Sequence, residues 1–141
     1  MPDHKRSSPR IIVPRPERVR TLDHVAFGWL DARLQHDGWL RAMTPQALAV
    51  YAFLCLAADR RGVSFYRRAR IARELGLDDL EVSSILERLR ELDLVAYRPF
   101  HPGAADGFWQ VLSLPVDGPP PLIPQSALSL ERLVERLTEK P

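Results

Sequence analysis

Two short amphipathic segments separated by a single glycine constrain this chain more than any other feature. In the first segment, Ile71, Ala72 and Leu75 recur at helical spacing. The pattern stops at Gly76, a residue type that readily adopts the left-handed conformation in which many helices end. Asp78 is suited to cap a second helix, whose apolar face consists of Val82, Ile85, Leu86 and Leu89. Two short helices joined by a tight glycine turn are the sequence form of a helix-turn-helix.

The sequence before this motif predicts further helices. Thr44 and Pro45 suit the N-cap and first position of a helix that runs to Asp59. We expect its buried face to contain Leu48, Tyr51, Ala52, Cys55 and Leu56. A short helix is also predicted before the turn at Asp37-Gly38, in an apolar cluster made of Val25, Phe27, Trp29, Leu30 and Leu34. Val63 to Phe65 favours a short strand, and the three tryptophans are expected to pack in the core and hairpin: Trp29, Trp39 and Trp109.

The sequence after the motif predicts a β-hairpin. Residues 94–98 are rich in strand formers, residues 99–107 form a loop with two prolines and two glycines, and residues 108–114 alternate as a second strand. The predicted fold class is therefore mostly α with a small β-hairpin (α+β), a winged helix-turn-helix with flanking helices.

Proline divides the chain. Residues 17–114 hold three of the 13 prolines, and the two tails hold the other ten. We therefore expect four regions: a basic flexible arm (1–20), a winged-helix domain (21–114), a proline-rich linker (115–125) and a short amphipathic C-terminal helix (126–141). The arm has a net charge of +4, from six basic and two acidic residues.

Composition and motifs exclude several classes of protein. At 141 residues the chain suits one domain, and no apolar run is long enough to cross a bilayer. Residues 1–20 lack the apolar stretch of a signal peptide. A single cysteine cannot form the intrachain disulfides that stabilise small secreted domains, so we expect a cytoplasmic protein. Zinc-ligand spacing, phosphate-binding loops and hydrolase motifs are lacking, and Cys55 lies on an apolar helix face. We expect no enzyme activity, no metal and no cofactor.

The order of elements and the motif residues resemble a known group of domains. The match runs from about residue 44 to 114 and includes Gly62-Val63-Ser64, Ile71-Ala72, Leu75-Gly76-Leu77, Val82, Leu86, Leu89 and Leu94-Val95. This pattern is similar to the winged-helix domains of bacterial GntR-type and MarR-type regulators and of replication initiators. The resemblance implies that residues 79–91 form a recognition helix in the major groove and that the hairpin loop is a wing that touches the DNA backbone or the minor groove.

An arginine cluster supports DNA binding. Residues 60–73 hold six arginines and no acid: Arg60, Arg61, Arg67, Arg68, Arg70 and Arg73. We expect them to contact phosphates, although a solvated basic surface is the alternative. Ser83, Ser84 and Arg88 would face the groove, and Arg88 could contact guanine. Arg98 and His101 at the wing are candidate backbone contacts. Arg18 and Arg20 in the arm could follow the minor groove or belong to a disordered tail.

Two features leave a second function open. Asp78, Asp79 and Glu81 would repel DNA, although acids in a first helical turn also stabilise the helix. The predicted C-terminal helix has an apolar stripe made of Leu130, Leu133, Val134 and Leu137. This stripe could pack against a second subunit, a protein partner or the chain's own core. We favour a dimer for this stripe. The predicted function is double-stranded DNA binding by a small transcriptional regulator or a plasmid or mobile-element accessory factor; the alternative is a protein-interaction module with little DNA affinity.

Overall fold

The computed structural model of the protein describes residues 10–121. Its five helices are α1 (Arg33–His36), α2 (Trp39–Ala42), α3 (Pro45–Ala57), α4 (Arg68–Leu75) and α5 (Asp79–Glu91). Its three strands are β1 (Val63–Ser64), β2 (Val95–Pro99) and β3 (Gly107–Val111). A single 3-10 turn (Pro16–Arg18) precedes them.

Helix α3 begins as the sequence predicts but buries a different face. The Thr44 hydroxyl accepts a hydrogen bond from the N–H of Ala47 at 3.1 Å, and Pro45 occupies the first helical position. The buried residues are Ala47, Val50, Tyr51, Leu54 and Cys55. The prediction was wrong for Leu56, whose exposure is 69%. Because α3 is apolar on nearly every side, its periodicity does not select a face, and contacts with α4 and α5 decide which residues are buried.

The helix-turn-helix has the predicted caps. Gly76 ends α4 in the left-handed conformation, with a φ of 68°. The N–H of Leu77 then donates to the carbonyl of Ala72 at 2.9 Å, which closes the last turn of α4. The Asp78 carboxylate accepts a hydrogen bond from the N–H of Glu81 at 2.7 Å and caps α5. Local caps at both sides of the turn therefore fix the point at which α4 stops and α5 starts.

The hairpin forms, and β1 joins it as a third strand. Strands β2 and β3 are antiparallel with Arg98 opposite Phe108, and β1 pairs with β3 with Val63 opposite Gln110. The sheet order is β1-β3-β2. Strand β3 is shorter than predicted, because it ends at Val111 and not at residue 114. Leu112 instead donates its N–H to the carbonyl of Leu94 beyond the paired strands.

Helices and sheet enclose one hydrophobic core. Its fully buried residues come from α2, α3, α4, α5 and β3 and include Trp39, Val50, Leu54, Ile71, Leu86 and Trp109. Helix α5 packs against α3, α4 and β2, so it is held on three sides while its remaining face lies in solvent. The order of helix, strand, helix, turn, helix and hairpin, with the first strand paired to the hairpin, is that of a winged helix. The predicted α+β winged-helix class is confirmed.

The segment before α1 differs from the prediction. Within the predicted apolar cluster, α1 forms before the turn and Leu34 is buried, but Phe27 and Trp29 are 62% and 74% exposed. The prediction that Trp29 packs in the core was wrong, and Val25 and Leu30 of the same cluster are also about half exposed. Gly28 lies against the end of α3, where a Cβ would come within 2.8 Å of the Leu56 Cα. Because glycine holds the position against α3, the rings on either side of it remain in solvent.

The tails are described in part. Residues 10–20 of the predicted arm are all exposed. Residues 115–121 of the predicted linker follow β3, and Pro119 lies near the turn at Gly38. The predicted C-terminal helix and its stripe of Leu130, Leu133, Val134 and Leu137 lie outside the described residues.

Candidate nucleic-acid interface

The outer side of α4 carries a row of arginines. Arg67 is the N-cap residue, with an extended backbone, and Arg70 and Arg73 follow at intervals of three, so the three share one side of the helix start. All three are exposed. Arg70 bonds to Glu74 at 2.8 Å, with both side chains about half exposed. Among residues 10–121, Arg67 and Arg73 have no carboxylate oxygen within 4.0 Å. Two of these three guanidinium groups are therefore available to phosphate.

Arg60 and Arg61 lie in the turn between α3 and β1, which Asp59 organises. The Asp59 carboxylate accepts hydrogen bonds from the N–H of Arg61 at 2.8 Å and of Val63 at 3.0 Å. These two backbone donors, that of Val63 foremost, lower the pKa of Asp59, and nearby guanidinium charge adds to the effect. The Arg61 guanidinium is 3.7 Å from the same carboxylate, with a side chain that is 84% exposed. Both arginines therefore project into solvent from a turn with a defined backbone.

Arg68 is turned away from the row and toward the hairpin. Its side chain is 25% exposed and lies 3.5 Å from the carboxylate of Asp106. Its backbone N–H donates to the same carboxylate at 3.0 Å, and its guanidinium donates to the carbonyl of Ala105. The guanidinium carbon is also 5.5 Å from the ring centre of Tyr97 and 5.6 Å from that of Trp109. Arg68 thus fastens the start of α4 to the hairpin, a structural role that the sequence did not indicate.

The exposed face of α5 is acidic. Residues 78–91 hold five acids and two arginines, a net charge of −3. Arg88 lies 3.4 Å from Glu91, and Arg90 lies 3.3 Å from Glu87, so each arginine has a carboxylate neighbour on its own helix. Of the other predicted groove residues, Ser84 is exposed and Ser83 is half-buried. The helix expected to enter a major groove therefore offers few free donors to a base edge.

The wing and the arm each contribute candidate cations. Arg98 is exposed at the end of β2, and within the described part of the chain no carboxylate approaches its guanidinium within 4.0 Å. In the exposed His101, Nδ1 lies 3.1 Å from the carbonyl of Pro102. Arg18 ends the short 3-10 turn and Arg20 follows it, both exposed. These residues extend the set of surface cations beyond α4, and the 3-10 turn also contains Glu17, which pairs with Arg15 at 3.0 Å.

Cys55 and Tyr51 are neighbouring ionisable side chains buried in α3. Burial raises the pKa of the Cys55 thiol, which keeps it protonated and poorly nucleophilic at neutral pH. The pKa of the neighbouring Tyr51 is also raised, mainly by burial. Across residues 10–121, no group of three His, Cys, Asp or Glu side chains is placed to hold a metal ion. No helix within that range is long and apolar enough to cross a membrane.

Sequence reasoning identified most of the exposed arginines but missed how they are partnered. The Arg68–Asp106 pair joins residues 38 positions apart, and nothing local in the sequence signals it. By contrast, the pairing of Arg90 with Glu87 and of Arg88 with Glu91 has the i,i+3 spacing of helix neighbours and could have been anticipated. The available surface cations are therefore fewer than the six arginines of residues 60–73 suggest.

No family model and no curated protein matches this chain. Among solved structures, a double mutant of ZitR from Lactococcus lactis in its apo form is similar. It is 20% identical, the alignment covers 79% of this chain and 81% of that chain, and the TM-score is 0.36.

Proposed function

We propose that this protein binds double-stranded DNA, mainly through contacts of the α4 arginines with backbone phosphates. The observation that carries the proposal is the row Arg67, Arg70 and Arg73, exposed on the helix that precedes the turn of a winged helix. In this fold the first helix of the motif crosses the DNA backbone. Guanidinium groups match phosphate geometry and release condensed counterions when they bind. The resemblance to GntR-type and MarR-type domains points to a transcriptional regulator, or to an accessory factor of a plasmid or mobile element.

The acidic surface of α5 is unfavourable for contacts with base edges in the major groove. Phosphate contacts position a protein, whereas contacts with base edges specify sequence. With Arg88 held 3.4 Å from Glu91, α5 has little capacity for a bidentate contact with guanine. We therefore expect affinity for duplex DNA with weak discrimination between sequences. The exposed cations Arg18, Arg20 and Arg98 would add contacts at the edges of the footprint.

The proposal is tested by fluorescence anisotropy with a labelled random-sequence duplex, titrated from low to physiological salt. Changing Arg67, Arg70 and Arg73 together to Gln should weaken binding and lower the slope of log K against log salt by about 0.9 for each phosphate that is no longer neutralised, roughly 2 to 3 in total. Arg41→Gln is the matched control, because Arg41 is an exposed arginine on α2. An unchanged slope in the triple variant, or no binding by the natural protein at low salt, would overturn the proposal.

A protein-interaction module is the second candidate, and the α5 surface favours it. Leu80 is 84% exposed at the start of α5, beside the carboxylates of Asp79 and Glu81. An apolar side chain within an acidic face suits a basic protein partner better than DNA. The variant Glu91→Gln separates the two candidates, because it removes repulsion and releases Arg88. Tighter duplex binding by this variant supports the DNA function, whereas unchanged, negligible duplex binding supports the protein module.

A further inference from the structure

The outer face of the three-stranded sheet combines aromatic rings, arginines and an amide. Side chains alternate along each strand, so Trp109 faces the core while Phe108 and Gln110 face outward on β3. The strand register places Arg98 of β2 opposite Phe108, and Gln110 between Ala96 on one side and Val63 on the other. This surface, which we call the outer sheet face, is a shallow depression that includes Arg61, Arg98, Phe100, Phe108 and Gln110. None of the residues that line it is acidic.

Two phenylalanine rings in this face are only partly covered. Phe100 and Phe108 are 37% and 42% exposed. Their ring centres are 5.1 Å apart, and their planes are nearly perpendicular at 87°. An edge-to-face pair fixes the orientation of each ring, so the exposed ring surface is held in place before any ligand arrives. The N–H of Phe100 also donates to the carbonyl of Asp106 at 3.1 Å, which closes the hairpin loop beneath the rings.

The polar groups of the outer sheet face suit a ligand that has both a negative charge and groups that donate and accept hydrogen bonds. Arg98 has no carboxylate within 4.0 Å in the part of the chain described. The Arg61 side chain is 84% exposed, with its one carboxylate neighbour at the long distance of 3.7 Å. Gln110 contributes a side-chain amide that can both donate and accept hydrogen bonds. Arg98, and Arg61 with its single distant carboxylate neighbour, favour phosphate, and the Gln110 amide suits the polar edge of a base.

We propose that the outer sheet face binds single-stranded nucleic acid, with unpaired bases stacked on Phe100 and Phe108 and phosphates held by Arg61 and Arg98. Exposed aromatic rings beside cations on a sheet are the arrangement with which proteins hold unpaired bases. In a duplex the bases already stack on each other, so the rings would find no free base surface there. This inference does not rest on duplex binding by α4, and the two activities can be lost separately.

The test uses the full chain and a labelled oligothymidylate in fluorescence anisotropy. The variant Phe108→Ala should weaken binding of the oligothymidylate about tenfold or more, and Phe108→Leu should weaken it too, because the ring rather than apolar volume is needed. Arg98→Gln should weaken it and reduce its salt dependence. Phe27→Ala is the matched control, since Phe27 is 62% exposed, lies before α1 and does not line this face. Urea unfolding of each variant checks that the fold is retained.

Further measurements distinguish this site from the duplex site and from binding by charge alone. The triple change of Arg67, Arg70 and Arg73 to Gln should leave oligothymidylate binding nearly unchanged. Three results would overturn the inference: no binding of oligothymidylate at low salt, the same loss in Phe108→Ala as in Phe27→Ala, or equally effective competition by polyglutamate. If the α4 triple variant loses both ligands while the Phe108 variants lose neither, the single strand is held by α4 and only duplex binding stands.

Discussion

The link between α4 and the hairpin provides a sharp test of what holds this fold together. Asp106 accepts the backbone N–H of Arg68 at 3.0 Å and lies 3.5 Å from its guanidinium. A hydrogen bond to a charged group contributes about 1.5 to 3 kcal/mol, and a partly exposed ion pair contributes up to about 1 kcal/mol. We therefore expect Asp106→Ala to lower the free energy of unfolding by about 2 to 3 kcal/mol. Asp106→Asn keeps an acceptor for the N–H and should cost about 1 kcal/mol.

Urea unfolding followed by tryptophan fluorescence measures this loss, because Trp109 is fully buried beside Arg68. With an m-value of about 2 kcal/mol/M, the alanine variant should lower the urea midpoint by about 1 M or more. Asp117→Ala is the matched control, since Asp117 is exposed and no ion pair involves it within residues 10–121. A loss below about 0.5 kcal/mol, or equal losses for alanine and asparagine at position 106, would refute the reasoning.

Three further predictions concern local contacts. Gly28→Ala should lower the free energy of unfolding in urea by about 1 to 3 kcal/mol, because the alanine Cβ would come within 2.8 Å of the backbone of α3. An unchanged free energy of unfolding would contradict this close contact between the segment before α1 and α3. Asp78→Ala should cost about 1 kcal/mol and Asp78→Ser much less, since serine still caps α5; equal losses would contradict the capping role. The pKa of Asp59 is lower in the folded protein than in the unfolded chain, so the unfolded chain binds a proton more readily. The ionised Asp59 carboxylate therefore stabilises the fold above the unfolded pKa of about 4, and this stabilisation is lost as the pH falls through the folded pKa. Asp59→Asn should therefore flatten the dependence of the unfolding midpoint on pH below about 4, and an unchanged dependence would exclude this contribution.

The candidate interface was predictable in its residue types but only partly in its geometry. An exposed side for Arg67, Arg70 and Arg73 follows from their spacing of three on a helix whose apolar residues lie elsewhere. The exclusion of Arg68 from that row does not follow from spacing, because its partner Asp106 belongs to the hairpin loop. The aromatic rings on the outer sheet face were likewise hidden, since their exposure depends on which side of β3 the core occupies.

The sequence by itself determined the features that depend on neighbours a few residues apart. These include the caps at Thr44, Gly76 and Asp78, the existence of α4 and α5, and the hairpin with its loop. Each is governed by backbone hydrogen bonds and side-chain contacts within one or two turns, so the responsible residues are adjacent in the sequence.

The tertiary structure alone decided the features that depend on distant residues. The apolar helix α3 could bury any of several faces, and its packing against α4 and α5 selected one and left Leu56 exposed. The segment around Gly28 had the composition of a core, yet its close approach to the end of α3 left Phe27 and Trp29 in solvent. Strand β1 needed β3 as its partner, 47 positions away at the Val63–Gln110 pair. Sequence patterns report which residues are apolar or charged, whereas burial and pairing depend on which surfaces meet when the whole chain has packed.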